Sequence, residues 1–172
     1  MGRINMRKAH RFSSHMPPLM AAINMTDGAV LEMGTGYFST PVIHWMCVPN
    51  KRYVLSLEND PGWEWTRAFA HEYHDFEMVA DWDKVNIERP WSVAFIDHGP
   101  PERRRIDTLR LADHAQFIVI HDTNGRQDRH YHLHEIFPQF KYVYHFGGRF
   151  PQTTVLSNYV DFSLHPNTQQ DT

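Results

Sequence analysis

The sequence is poor in cysteine, because Cys47 is the only one among 172 residues. A single cysteine excludes an intramolecular disulfide and a cysteine-rich zinc site, and beside Trp45 and Met46 it is predicted to be a buried small apolar residue. Long hydrophobic runs are also missing. No stretch approaches the roughly 18 apolar residues of a membrane span, and the N-terminus lacks the apolar core of a signal peptide. These absences predict a cytoplasmic protein with no membrane partner.

Neither sign of charge dominates the sequence. There are 17 lysines and arginines against 20 acidic residues, and 13 histidines make the net charge of −3 sensitive to mildly acidic pH. A small-molecule partner is therefore favoured over nucleic acid. With 41% hydrophobic residues the chain can close one core. We expect a single domain over residues 1–164, with a loose basic N-terminus over 1–12 and a flexible tail over 165–172.

Short runs of β-branched and aromatic residues alternate with helix-compatible stretches. The runs predict strands over Val30 to Met33, Tyr53 to Leu57, Phe76 to Ala80, Ser92 to Ile96, Phe117 to His121, Phe140 to His145 and Thr153 to Asn158. Helices are predicted over Pro17 to Asn24, Thr40 to Cys47, Gly62 to Tyr73, Pro101 to Asp113 and Arg129 to Phe137. Continuous apolar strands predict a mostly parallel sheet covered on both faces. The connection over 147–152 is too short for a helical crossover, so the last two strands should form an antiparallel hairpin.

The ends of the first three strands carry residues typical of a cofactor site. The first strand runs into Glu32-Met-Gly-Thr-Gly36, where the two glycines allow positive φ and a close approach of the backbone to a bound group. The second is followed by Glu58, which is suitably placed for two ribose hydroxyls, although a solvated carboxylate is the alternative. The third runs into Asp81 and Trp82. These two either contact an adenine ring or form a polar loop and a packed edge.

These residues resemble the class I S-adenosylmethionine (SAM)-dependent methyltransferases, over roughly Ala29 to Asn158. Ser39 stands where dinucleotide-binding dehydrogenases need a third glycine or alanine, which favours SAM over NAD. The resemblance implies an α/β, Rossmann-like, doubly wound sheet of seven mostly parallel strands in the order 3-2-1-4-5-7-6, with an antiparallel C-terminal hairpin. It implies SAM as cofactor, bound by Glu32, Met33, Gly34, Thr35, Gly36, Ser39, Glu58, Asn59, Asp81, Trp82 and Asp97.

Strands four and five both lead into an aspartate, Asp97 and Asp122. Adjacent strands lie about 5 Å apart, so the two carboxylates can share a hard divalent cation, with Asn124 or Thr123 and waters completing its shell. This arrangement resembles the metal-dependent catechol and macrocin-type O-methyltransferases. The resemblance implies Mg²⁺ or another divalent cation at Asp97, Asp122 and Asn124, where it would lower the pKa of an acceptor hydroxyl and orient it.

Many metal-dependent relatives place a lysine base shortly after the fourth-strand acid, but here Pro100 and Pro101 occupy that stretch. His98 and His121 are the candidate replacements, and with Asp97 they form the predicted catalytic set. A histidine near its ordinary pKa can accept a proton at neutral pH. Either histidine could instead ligate the metal or hold a loop.

Other clusters have structural explanations. His130, His132 and His134 are predicted to be surface or interface histidines, and the arginines at 103–105 and 110 a solvated helix face. Trp63, Trp65 and Phe69 at helical spacing are predicted to pack a helix rather than to form a substrate cage. The stretch from His15 to Pro18 precedes a short apolar helix that could cap the cofactor pocket.

The leading hypothesis is a SAM-dependent O-methyltransferase acting on a small molecule. The alternative keeps the fold and the cofactor without methyl transfer, as a binding or partner subunit, because the chain has almost no insertion where acceptor specificity usually arises. Methylation of nucleic acid or protein is not favoured, because the sequence after strand four has no tetrapeptide of the Asn-Pro-Pro-Tyr type that usually accompanies it. We expect a homodimer through the edge of the hairpin, because three aromatic residues are predicted to be exposed there, Phe146, Phe150 and Phe162.

Overall fold

A seven-stranded sheet forms the centre of the computed structural model, which describes residues 13–147 and 150–164. The predicted N-terminal and C-terminal loose segments, 1–12 and 165–172, lie outside the described residues. The strands are β1 (Val30–Met33), β2 (Val54–Glu58), β3 (His74–Met78), β4 (Trp91–Ile96), β5 (Ala115–Ile120), β6 (Tyr142–Phe146) and β7 (Thr153–Ser157). Their order is β3-β2-β1-β4-β5-β7-β6. The first five pair in parallel, while β7 is antiparallel to both β5 and β6, which confirms the predicted topology and hairpin.

In the part of the chain that the structure describes, four α-helices and several 3₁₀ segments precede, separate and follow the strands. The helices are α1 (Met16–Asn24), α2 (Ser39–Cys47), α3 (Arg103–Arg110) and α4 (Gly125–Tyr131). The 3₁₀ segments are Val48–Asn50, Pro61–Phe69, Trp82–Lys84, Leu133–Glu135, Phe137–Gln139 and Phe162–Leu164. Within residues 13–147 and 150–164, none of the helices has the length and hydropathy needed to cross a bilayer.

The sheet is covered on both faces, which is why its central strands read as continuous apolar runs. One face packs α1 and α2 through Leu19, Ile43 and Cys47, and Cys47 is fully buried as predicted. The other face packs the Trp82 turn and Leu111 at the end of α3. Helix α1 lies across β4 and β5, so the residues that precede it reach the carboxyl ends of those strands.

Two predicted helices differ from the structure. The segment predicted as a helix from Gly62 to Tyr73 is a 3₁₀ helix over Pro61–Phe69, because Asp60 caps its start by accepting from the Gly62 amide and the chain is already extended at His71. The helix predicted from Arg129 to Phe137 begins earlier, as α4. It ends where His132 adopts a left-handed conformation with φ of 52°, and two 3₁₀ turns follow.

The third strand also lies earlier than predicted. It spans His74–Met78 rather than Phe76 to Ala80, because Val54 of β2 pairs with His74. The bounds of β1 are as predicted, and those of the other five strands differ from the prediction by at most two residues. Phe162 is not part of an exposed aromatic edge: it is buried, with its ring 5.4 Å from Phe117 and 5.2 Å from Tyr144, whereas Phe150 is exposed. The homodimer stays a prediction.

The turn after β1 needs glycine at only one of its two glycine positions. Gly34 has φ of +88°, and a Cβ built there would lie 2.5 Å from the amide nitrogen of His98, so the backbone after β4 occupies the space of a side chain. Gly36 does not have positive φ, and its Cβ would make an ordinary contact with Ser39 Oγ at 3.6 Å. The close approach at Gly34 is therefore between two strand ends of the protein itself.

We predict that Gly34→Ala lowers the free energy of unfolding by about 2–4 kcal/mol, because the new methyl group adds a clash with backbone to a strained φ. Urea unfolding measures the change. Gly36→Ala is the matched control and should stay within about 0.5 kcal/mol of the parent. Equal stability of the two variants would contradict the close approach of the ends of β1 and β4 at Gly34.

Candidate active site

Two cavities open at the carboxyl ends of the parallel strands, where an α/β sheet of this kind binds ligands. The first, the acidic cavity, measures about 510 Å³ and is lined by carboxylates, those of Glu58, Asp60, Asp97 and Asp122. The second, the aromatic cavity, measures about 320 Å³ and is lined by His15 and the rings of Tyr37, Phe38 and Trp63. Three residues line both: Thr35, Trp63 and Asp97. The two cavities are therefore adjacent, with these three residues at the junction between them.

Glu58 is the acid that the sequence assigns to a ribose. It is buried rather than solvated, and the protein itself supplies four hydrogen bonds to its carboxylate. The amide and hydroxyl of Thr35 donate to Oε2 at 2.7 and 3.0 Å, and the amides of Asn59 and Asp60 donate to Oε1, both at 2.9 Å. Glu58 thus ties the turn after β1 to the turn after β2. A ribose hydroxyl at this carboxylate must displace one of these donors, and the ribose role stays a prediction.

Glu32 lies beneath the glycine turn rather than in either cavity. It is fully buried and accepts hydrogen bonds from Thr40 Oγ1 at 2.9 Å and Ser56 Oγ at 2.5 Å. Ser56 Oγ also lies 2.8 Å from His74 Nε2, and His74 Nδ1 lies 3.0 Å from His44 Nδ1. Burial raises the pKa of Glu32 to about 7 and lowers that of His74 to about 4. The prediction that Glu32 contacts the cofactor has no support from its position.

Other residues of the predicted cofactor set divide between cavity and core. Thr35 and Asn59 line the acidic cavity, and Gly36 and Ser39 line the aromatic cavity. Met33 is fully buried in the core. The turn after β1 therefore presents backbone and small polar groups to both cavities.

Asp81 and Trp82 lie outside both cavities. Asp81 forms an ion pair with Lys84 at 3.1 Å at the surface. Trp82 is buried with its ring 4.3 Å from the ring of His98, and its Nε1 donates to the carbonyl of Gly99 at 3.0 Å. The adenine role of this pair stays a prediction, and the structure gives both side chains partners within the protein.

Arg104 fixes Asp97 at the edge of the sheet. Its Nη2 lies 2.8 Å from Asp97 Oδ1, and its guanidinium donates to the backbone carbonyls of Asp97, His98 and His121 at 2.7, 2.8 and 3.2 Å. Burial alone would raise the pKa of Asp97, but the positive charges of His121 and Arg104 outweigh it and hold that pKa well below its ordinary value. One arginine thus joins the ends of β4 and β5.

The expectation that the arginines of α3 form a solvated face is wrong for Arg104, which is buried. Its neighbour Arg105 is more exposed and pairs with Glu135. The signal was present in the sequence, because Arg104, Thr108 and Leu111 recur at helical spacing on one face and all three are buried.

His98 belongs to a second buried network. Its Nε2 lies 3.0 Å from Asp107 Oδ2, and Arg103 and Arg110 also donate to the Asp107 carboxylate. Burial lowers the pKa of His98, and the side chain has no exposed surface. Its role as a base stays a prediction, which requires movement of Trp82 or of the turn after β4 to expose the ring.

His121 lies between the two carboxylates that were expected to share a cation. Its Nδ1 is 3.1 Å from Asp97 Oδ2, while its Nε2 is 3.8 Å from Asp122 Oδ1 and 2.9 Å from Ser14 Oγ. Burial opposes protonation of the imidazole, but the Asp97 carboxylate outweighs it and raises the pKa of His121. Burial and the charge of Asp97 raise the pKa of Asp122.

The all-oxygen ligand set predicted for a hard cation is only partly brought together. Asp97 and Asp122 line the acidic cavity but Asn124 does not, and its amide donates to Gln127 Oε1 at 2.6 Å. Both Asp97 oxygens already face a donor, Arg104 or an imidazole. Mg²⁺ prefers an octahedral shell of oxygens, so these residues do not fit it in this arrangement.

His15 is a site residue that sequence reasoning placed only at the entry to a capping helix. It is buried, and its ring lies 4.7 Å from the rings of Phe95 and of His121. Burial is the main cause that lowers its pKa to about 3, so the imidazole is neutral. Neither ring nitrogen has a hydrogen-bond partner among the described residues. Trp63 was likewise expected only to pack a helix, and it lines both cavities.

Solved structures of several methyltransferases share this fold. The O-methyltransferase TomG of Streptomyces achromogenes, in complex with SAM, is 11% identical with a TM-score of 0.61 over 93% of this chain and 92% of that chain. The O-methyltransferase of Bacillus cereus, in complex with S-adenosylhomocysteine (SAH), is 13% identical with a TM-score of 0.57 over 85% and 80%. The human methyltransferase 10 domain containing protein is 15% identical with a TM-score of 0.56 over 84% and 83%.

Neither a protein-family model nor a curated protein sequence matches this chain. The structural likeness, at these identities, defines the fold: this chain has the class I SAM-dependent methyltransferase fold.

We predict that Glu32→Gln changes how stability depends on pH. The proton on Glu32 is bound more tightly in the folded protein, with a pKa near 7 against an ordinary 4.5. This stabilisation, on the order of 3 kcal/mol, is fully present below pH 4.5 and is lost as the pH rises through 7. Urea unfolding at pH 5 and pH 8 should therefore show a larger stability advantage of the parent over the variant at pH 5. Glu77→Gln, at an exposed position, is the control. If the free energy of unfolding of Glu32→Gln and of the parent depended on pH in the same way, Glu32 would not be protonated in the folded protein.

Replacing Arg104 with lysine should lower the free energy of unfolding by about 2–4 kcal/mol, because an ammonium cannot reproduce the planar set of donors to three carbonyls and a carboxylate. Arg105→Lys, one residue along α3 and more exposed, is the matched control, with an expected change below about 0.5 kcal/mol. Thermal or urea unfolding checks both. An Arg104→Lys protein as stable as the parent would show that the hydrogen bonds of the Arg104 guanidinium do not stabilise the fold.

Proposed function

We propose that this protein is a SAM-dependent methyltransferase that methylates a hydroxyl group of a small molecule. The observation that carries the proposal is the junction of the two cavities at Thr35, Trp63 and Asp97. Direct transfer needs the methyl donor and the acceptor oxygen in line and about 3 Å apart, which two adjoining cavities allow.

The acidic cavity suits SAM by charge as well as by size. SAM carries a sulfonium and an ammonium group besides its carboxylate, and the cavity that would hold them is lined by four acidic residues, Glu58, Asp60, Asp97 and Asp122. A volume of about 510 Å³ is within the range of ligand pockets. Asn59 and Glu58 line this cavity and are the residues that would hydrogen-bond to the ribose hydroxyls, with the ribose displacing one of the donors to Glu58. Bound SAM supplies the electrophilic methyl group.

The aromatic cavity suits the acceptor. Its rings, Tyr37, Phe38 and Trp63, offer apolar faces to a small molecule, and Asp97 lies at its junction with the acidic cavity. The Tyr37 ring lies 5.1 Å from that of Trp63 and stacks on that of Trp65 at 4.9 Å, which orders this wall. O-methyltransferases are among the solved structures with this fold, which supports a hydroxyl acceptor.

A second candidate keeps SAM binding without methyl transfer, as a binding or partner subunit. The burial of both predicted bases favours it: His98 has no exposed surface, and His121 is held between Asp97 and Ser14. Transfer of labelled methyl from SAM to any member of a panel of phenols, catechols and sugars would exclude this candidate.

We predict that calorimetric titration detects binding of both SAM and SAH to the purified protein. Trp63→Ala should weaken SAM binding at least tenfold, about 1.4 kcal/mol, because Trp63 lines both cavities. Trp45→Ala removes an exposed indole of α2 that lines neither cavity, and it should change the affinity by less than about twofold. Absence of SAM and SAH binding at high micromolar concentration would refute the proposed function.

A further inference from the structure

We propose that His15, His121 and Asp97 form a binding site for a first-row transition-metal cation such as Zn²⁺. The three residues come from three different elements, namely the turn before α1, the end of β5 and the end of β4. Each offers one ligand atom, and these atoms all lie within 4.8 Å of one another. This set differs from the all-oxygen set that the family resemblance implies.

Two of the three ligand atoms already have the spacing that a metal requires. His121 Nδ1 and Asp97 Oδ2 are 3.1 Å apart, close to the separation of about 3.4 Å between ligand atoms around tetrahedral zinc with bonds of about 2.1 Å. A cation at this point replaces the proton that the imidazole and the carboxylate share. His15 completes the set by a small closing movement of its ring.

The buried ring nitrogens of His15 indicate a ligand, because no described residue forms a hydrogen bond with them. His15 is 3% exposed, and neither nitrogen has a hydrogen-bond partner among residues 13–147 and 150–164. Leaving a buried donor or acceptor unpaired is unfavourable, so native proteins rarely do it without a bound partner. The nearest rings, those of Phe95 and His121, supply packing, and only His121 brings a metal-ligating group to the same place.

The other two ligands have the outer contacts that orient metal ligands. With Nδ1 on the cation, His121 can donate its Nε2 proton to Ser14 Oγ, 2.9 Å away, which fixes the tautomer. Asp97 Oδ1 is held by Arg104 at 2.8 Å, so Oδ2 remains aimed at the site. The positive charge of Arg104 opposes a dication, and the site should therefore bind less tightly than a structural zinc site.

The ligand chemistry selects the class of cation. Two imidazole nitrogens and one carboxylate suit zinc and its neighbours, whereas Mg²⁺ and Ca²⁺ prefer oxygen. Three protein ligands leave at least one position open. His15 and Asp97 line the aromatic cavity while Asp97 and His121 line the acidic cavity, so an oxygen of a bound small molecule can reach that position.

Titration of the metal-free protein with Zn²⁺ tests the site, and Co²⁺ provides an optical readout because histidine coordination produces visible absorption. The parent should bind one Zn²⁺ with a rise in melting temperature. His15→Phe keeps an aromatic ring beside Phe95 and removes two unpaired nitrogens. It should remain folded, lose at least tenfold in Zn²⁺ affinity and lose the Co²⁺ spectrum.

A surface double variant, His132→Ala with His134→Ala, controls for adventitious binding at exposed histidines and should retain the site. Loss of binding in this variant, or unchanged binding in His15→Phe, would overturn the proposal. Tight Mg²⁺ binding that His15→Phe leaves intact would also overturn it, in favour of the oxygen ligands. These measurements need no SAM, so failure of the metal site and failure of the proposed function are distinguishable.

Discussion

The position of Asp97 depends on the buried guanidinium of Arg104. Parallel pairing stops at the ends of β4 and β5, which leaves backbone carbonyls there without strand partners. Arg104 donates to three of these carbonyls and to the Asp97 carboxylate at once. A buried charge is tolerated only when it is paired and hydrogen-bonded, so the arginine and the two strand ends stabilise one another. Asp97, one of the four carboxylates that line the acidic cavity, is held in place by this contact.

The sheet was predictable because its central strands are buried on both faces and read as apolar runs, and because residues 147–152 are too few for a crossover. The same criterion failed at β3. This edge strand alternates buried and exposed residues, and it begins at His74, a polar residue that is buried because it contacts Ser56 and His44. A histidine whose partners lie on other elements has no recognisable strand signature in the sequence.

The site was predictable to the extent that strand ends determine it. Glu58, Asp97 and Asp122 all line the acidic cavity, because the carboxyl ends of parallel strands meet at one edge. The spacing along the sequence could not predict which side chains these residues contact. Asp81 and Trp82 follow β3 as expected, yet one caps a turn at the surface and the other packs on His98. Those outcomes depend on tertiary neighbours rather than on position along the chain.

The two carboxylate oxygens of Asp97 have different partners, one in α3 and one at the proposed metal site. Oδ1 is held by Arg104 against the sheet, while Oδ2 faces His121 and, beyond it, His15, whose ring nitrogens have no hydrogen-bond partner among the described residues. His15 reaches this point only because α1 packs across β4 and β5. A ligand bound by both His15 and Asp97 must therefore also stabilise the packing of α1 on the sheet. Occupancy of the site is in this way coupled to the position of the helix that covers it.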